Sequence, residues 1–290
     1  MLVALAFAFR ASVPAAQDAE KPLPDATVFL EGVRETLRSD RLLLADYTFT
    51  EKRTDTRLDS KDKVKKTTSE VYEVYPSSKP GKMYYRLIAR DGRPRDPKEL
   101  AEENRKQDVK AEKRRLELER ETPEERERRL TKEQEELRQE KEVIDELFRM
   151  DEITVVGRET VGGRSAVLVR FRPRPGYRPQ TEGGKVLQKL AGSAWIDEEE
   201  RQLARIDAEL LESLPVGPGG IFRLQKGAHA FYERRKINGE VWLPADAHFA
   251  GAAKFLFFVL GRIDARFDYS DYRKFTVSTS TSISTEKTSR

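Results

Sequence analysis

The chain has 290 residues, no cysteine and a formal net charge of +4. Lacking thiols, it has neither disulfides nor thiolate metal ligands, and its 55 basic and 51 acidic residues are too balanced to favour a polyanion partner. Hydrophobic and charged residues each make up 37%, a charge-rich mixture that still supplies a core.

The N-terminus, MLVALAFAFRASVPAAQDAEK, sets an apolar run at Leu2–Phe9 before small residues at Ala11–Ala16. That order matches the h-region and cleavage region of a secretory signal, although Arg10 interrupts it and no basic n-region precedes it. We read 1–16 as a signal segment clipped at its start and expect a periplasmic or otherwise exported protein. No later run approaches the roughly 20 apolar residues of a membrane-spanning helix, so no transmembrane span is expected.

Asp25 is a helix start, and Val28, Phe29, Val33 and Leu37 fall on one face of an amphipathic helix over 25–39. After Asp46 the period changes to two. YTFTEKRTDTRLD (47–59), KVKKTTSEVYEVY (63–75) and KMYYRLIAR (82–90) read as strands with one wet face. Asp96-Pro97 and Thr122-Pro123 then open two charged helices, about 97–121 and 123–149, because proline suits a first turn and breaks an interior one. Acidic and basic side chains nearly balance in them. Leu130, Leu137 and Ile144 repeat at seven, a thin stripe for one neighbour rather than a strong coiled coil. We expect a solvated helical hairpin inserted between strands.

Strands resume at Glu152, with a hairpin turning at Gly162–Gly163. FRPRPGYRP (171–179) is a stiff loop, and 193–210 reads as two short strands around an acidic turn. LPVGPGG (214–220) is a break. A second hairpin over 221–249 turns at Asn238–Gly239, and strands at 253–261 and 262–275 complete about ten. Residues 276–290 read as a flexible tail. Mostly sequential strands without alternating helices point to an antiparallel meander. The fold class expected is α+β: a large curved antiparallel sheet, an incomplete barrel, with an N-terminal helix and the hairpin 97–149 inserted in a single domain over 25–275.

Little here suggests covalent chemistry. His229 and His248 lack the spacing of a metal site and read as ordinary strand histidines. There is no G-x-S-x-G elbow, and Val216–Gly220 lacks the Lys-Ser/Thr of a phosphate loop. Glu198–Glu200 is an acidic turn. Arg172, Arg174 and Arg178 beside Tyr177 form a basic patch of the kind a stiff exposed loop shows. No catalytic residue, metal or cofactor is expected. The aromatics say more: Tyr47, Phe49, Tyr72, Tyr84, Trp195, Phe222, Trp242, Phe255 and Phe257 spread over nearly every strand. Strands that alternate in this way build one oily face, which packs as core or, where uncovered, takes an apolar ligand.

The phrases DYTFTEKR, GSAWIDEEERQLARIDAEL and YERRKINGEVWLPADAHF resemble the periplasmic lipoprotein-carrier (LolA/LolB-like) superfamily, most closely at Trp195–Asp197 and Gly239–Pro244. The resemblance implies a strongly curved sheet closed by helices around a hydrophobic interior for lipid chains; the segment 97–149 departs from its short connections. The function expected is a non-enzymatic exported protein binding a lipid, an acyl chain or a lipoprotein. The alternative is an envelope scaffold whose helices 97–149 bind a protein partner. No nucleic acid is expected as partner.

Overall fold

The computed structural model describes residues 21–37, 43–59, 61–77, 82–216, 222–255 and 258–274. The signal-like segment 1–16 and the tail 276–290 lie outside them.

Helix α1 (Ala26–Thr36) starts where the Asp25 carboxylate accepts the Val28 N–H at 2.9 Å, and it buries Phe29 and Val33, one turn apart. A 3₁₀ turn at Leu44–Asp46 leads into β1 (Tyr47–Leu58), β2 (Val64–Pro76), β3 (Met83–Arg90) and the short β4 (Arg93–Pro94). The charged segment forms α2 (Pro97–Glu119) and α3 (Pro123–Met150), as the two proline starts predict. Asp96 caps the first. Thr122 and Glu125 close a full capping box on the second.

Strands β5 (Asp151–Val161) and β6 (Arg164–Pro173) reverse at Gly162 and Gly163, both with positive φ. A short helix α4 (Glu182–Leu187), not expected from the sequence, precedes β7 (Leu190–Asp197) and β8 (Leu203–Leu210). Then come β9 (Leu214–Val216), β10 (Phe222–Leu224), β11 (His229–Ile237), β12 (Val241–Phe255) and β13 (Phe258–Lys274). The β11–β12 hairpin reverses at Asn238 and Gly239, again at positive φ.

The antiparallel sheet has 13 strands rather than about ten. The apolar run expected as a strand of its own at 253–261 is divided: the β12–β13 ladder continues to Phe255↔Phe258. No glycine, proline or asparagine lies between Phe255 and Phe258 to signal the division in the sequence. The main order is β4-β3-β2-β1-β13-β12-β11-β8-β7-β6-β5, and the sheet does not close. Along this main order two pairings depart from a meander, β1 with β13 and β8 with β11; off it, β10 pairs with β12. Chain order adds a third fact. The strands at the two margins, β4 and β5, are the ones that α2 and α3 connect. The charged hairpin therefore links the two margins of an incomplete barrel.

Cross-strand partners share a face, and one row can be followed across nine strands. It runs Val155, Val169, Ala194, Ile206, Tyr232, Ala247, Phe267, Arg53 and Glu70. Phe29 and Val33 of α1 pack on this face against Val167, Val169, Ala194 and Ile196. Phe148 near the end of α3 joins the same cluster. Close packing is also visible at Gly192, where a Cβ would run into the Asp207 carbonyl oxygen of the neighbouring strand.

Candidate functional site

The helix-bearing face has two unlike halves. Over β5–β8 it is aliphatic and carries α1. Over β1–β3 and β13 it carries Phe49, Glu51, Arg53, Tyr72, Val74, Tyr85, Phe267 and Tyr269, placed together by the cross-strand register. Phe49 is 3% exposed, with ring centroids 6.0 Å from Tyr269 and 5.2 Å from Tyr272. Tyr47 is buried edge-on to Tyr272 at 6.4 Å. Aromatic rings in this number give a strand face large apolar area with polar tips.

Arg53 stands among these rings. Its guanidinium lies 5.0 Å from the Tyr72 ring centroid, 6.0 Å from that of Tyr85 and 5.2 Å from that of Phe267. This is cation–π geometry on three sides. Its Nε donates to Glu51 Oε1 at 3.1 Å, and its Nη2 donates to the same oxygen. Glu51 is 3% exposed and Arg53 about one-third exposed, so the acid is sunk beneath the base. Burial works against the Arg53 charge, but the Glu51 hydrogen bond and its negative charge outweigh it and hold the pKa above the ordinary value. Tyr72 has its hydroxyl on Glu70 Oε2 at 2.5 Å; burial, then that bond, raises its pKa. Tyr85 is 43% exposed. The arrangement can hold an apolar chain by contact and present one cation and several hydroxyls to its polar end.

Of the nine aromatics expected to line a cavity, Tyr47, Phe49 and Tyr72 come together here. Tyr84 points to the opposite face from its neighbour Tyr85, and its hydroxyl donates to Glu103 of α2 at 2.5 Å. Burial, followed by that bond, pushes its pKa up to about 12. Trp195 also lies on the opposite face, with Nε1 on Glu159 at 2.7 Å. Trp242 is 4% exposed in a second cluster with Val161, Ala166 and Ala204, and its Nε1 donates to Glu200 at 2.8 Å. Phe222 and Phe255 are backbone partners across β10 and β12. Phe257 lies outside the described residues. Glu51, Arg53, Tyr85, Phe267, Tyr269 and Tyr272 were not singled out from the sequence. The i, i+2 spacing of Tyr47, Phe49, Glu51 and Arg53 in YTFTEKR was the available signal.

The acidic turn proves to be an organising centre. Asp197, 1% exposed, accepts from Arg164 Nε at 2.6 Å and from the Glu200 N–H at 2.8 Å. Burial alone would raise its pKa, but these bonds keep it low. Glu198 is held at about 2, chiefly by Arg158. His229 and His248 each pair with an aspartate, Asp207 at 2.7 Å and Asp264 at 3.0 Å. Among the described residues there is no group of three or more His, Cys, Asp or Glu able to hold a metal ion, and no helix long and apolar enough to cross a membrane. In the basic patch, Tyr177 donates to the buried Glu146 of α3 at 3.4 Å and Arg172 pairs with Glu152 at 2.7 Å.

No protein-family model matches the chain, and no curated protein matches its sequence. Among solved structures it is similar to a DUF1329 family protein from Desulfovibrio piger at a TM-score of 0.34 and 10% identity, covering 87% of this chain and 94% of that one. It is similar to a LolA superfamily protein from Nitrosomonas europaea at a TM-score of 0.29 and 10% identity, covering 88% and 94%. A third similar structure is an outer membrane lipoprotein-sorting protein domain from Vibrio parahaemolyticus, at 0.31 and 6% identity, covering 87% and 92%. The superfamily that the sequence phrases resemble is thus among these neighbours. Superpositions this loose carry no functional argument, and the architecture rests on the strand order and register above.

Proposed function

We propose that this is an exported, non-enzymatic protein that binds a lipid, an acyl chain or the lipid moiety of a lipoprotein on the aromatic half of its helix-bearing face. One observation carries the reading. A single continuous face is covered by α1 on one half and, on the other, presents aromatic rings around one paired arginine. Apolar area taken from water contributes about 25 cal/mol per Å², so an acyl chain laid along these rings is held without covalent chemistry. The signal-like 1–16 supports a periplasmic or otherwise exported location. Protein purified natively is to be examined by native mass spectrometry with lipid extraction, then titrated with a fluorescent fatty acid. Co-purifying lipid, or uptake that Phe267→Asp abolishes, supports the reading; an empty protein that takes up nothing overturns it.

A second reading has its own observation. The hairpin exposes Val109 (69%) and Leu116 (36%) on α2 and Leu130 (44%) and Leu137 (44%) on α3 among its charges, apolar side chains suited to a protein partner in the envelope. Deleting 97–149 is a poor test, because Phe148 belongs to the core and Glu146 is fully buried. Leu130→Glu with Leu137→Glu leaves both in place. Loss of a pulled-down partner with lipid uptake intact favours this reading.

A further inference from the structure

A cleft of about 330 Å³ opens between α1, the end of α3 and the start of β5. That volume is at the small end of ligand sites. It lies over the aliphatic half of the sheet, apart from the aromatic face. Leu30, Phe148 and Ile153 line it and pack against the core beneath.

Its polar lining is unevenly partnered. Arg34 is engaged twice, with Asp145 at 2.9 Å and Glu31 at 3.0 Å. Arg149 and Arg174 also line the cleft, and neither has an ion pair among the described residues. The third acid is Asp151, 1% exposed, whose Oδ1 has no hydrogen-bond partner. A buried carboxylate oxygen without a donor is costly, and native chains rarely keep one without a reason. The lining therefore offers an acceptor needing a donor, two guanidinium groups needing an anion, and an apolar wall between them.

We propose that this cleft binds a small zwitterion: an ammonium next to an oxyanion, on a short apolar body. The ammonium donates to Asp151, the oxyanion takes Arg149 and Arg174, and the body lies on Leu30, Phe148 and Ile153. Arg174 alone does not complete Asp151. It is close enough to pull the carboxyl's pKa down, yet burial still leaves that group raised to about 6. Two sources share the chemistry, a free apolar α-amino acid and the phosphoethanolamine of a lipid headgroup.

The test is calorimetric titration of the full chain with L-leucine and with phosphoethanolamine, each beside analogues lacking one charge: 4-methylpentanoate without the ammonium, isoamylamine without the oxyanion. Saturable binding of either zwitterion, weakened about tenfold or more in both single-charge analogues and in Asp151→Asn and Arg174→Gln, supports the site. Leucine alone binding identifies a free amino acid; phosphoethanolamine alone identifies a headgroup. The inference is overturned if neither zwitterion binds, if 4-methylpentanoate binds as tightly as leucine, or if binding survives both substitutions unchanged. The analogue series uses the unaltered protein, so it decides even where a variant fails to fold.

Discussion

The two halves of the helix-bearing face belong to one sheet and are joined by one continuous cross-strand row, yet they solve opposite problems. Over β5–β8 the residues are compact aliphatics, Val167, Val169, Ala194 and Ile196, and Phe29 and Val33 descend onto them. Over β1, β2 and β13 they are rings with polar tips, and the most deeply placed polar pair, Glu51 with Arg53, is carried by the sheet itself. Small branched side chains leave a smooth bed for a helix. Aromatics tolerate partial exposure because their tips keep hydrogen bonds. The first half is covered by α1; in the second, Phe49 and Glu51 are buried while Tyr85 and Arg53 remain partly exposed.

The largest effect that separates the halves is expected from Phe29→Ala, which empties the buried centre of the α1 contact. It should cost about 3–4 kcal/mol in urea denaturation, against about 1–2 kcal/mol for the half-buried Phe267→Ala on the aromatic half. Equal losses would dissolve the distinction. Next is Glu51→Gln, which leaves Arg53 among its rings without a counter-charge. A loss of about 2 kcal/mol is expected, largely recovered in Glu51→Gln with Arg53→Met, since a paired charge costs most when its partner alone is removed.

Asp151 gives a third, pH-dependent contrast. Its pKa is raised to about 6 by burial, while the unfolded chain titrates near 4. Between those values the folded state keeps a proton that the unfolded state has released. Stability should therefore fall as pH rises from about 4 to about 6 and then level off, by up to about 3 kcal/mol. Thr27, Glu31, Arg34, Asp145, Arg149 and Arg174 line the same cleft; Arg34 pairs with both Glu31 and Asp145, and Asp145 also pairs with Lys141. Asp151→Asn should flatten the slope in a pH series of melting curves; an unchanged slope assigns it elsewhere. The smallest effect belongs to Leu137→Glu on the hairpin, within about 0.5 kcal/mol, and a larger loss would mean that the stripe packs against something.

Much of the secondary structure was legible because its signals are local. Asp25, Asp96 and Thr122 cap the helices they were expected to cap, and Gly162–Gly163 and Asn238–Gly239 make the turns expected of them. The pairing of β1 with β13, and the placing of the two strands flanking the hairpin, β4 and β5, at opposite margins of the sheet, were not legible. Nothing in a strand's own residues names a partner more than two hundred positions away. Helix α4 hid behind Gly183 and Gly184, a poor helical pair, although Thr181 caps it. The aromatic half was legible in kind but not in detail. Tyr84 and Tyr85 are adjacent and chemically alike, and a register shift in β2–β3 helps decide which of them faces Arg53. Alternation alone places Glu51 and Arg53 on the face of Phe49 but does not show that they pair there.

The hairpin's position at the two margins has a mechanical consequence. With 23 and 28 residues, α2 and α3 extend about 35 Å and about 42 Å from their roots. Their exposed arginine–glutamate rungs, such as Arg115 with Glu112 and Glu119, stiffen each arm mainly at low salt. Distances between spin labels on β3 and β5, read with and without added salt, report how firmly the arms hold the margins together. A force applied at the tip, around Arg120–Thr122, is delivered to both rims of the sheet at once. The segment then acts as a pair of tongs, with its handles in solvent and its jaws set by the sheet.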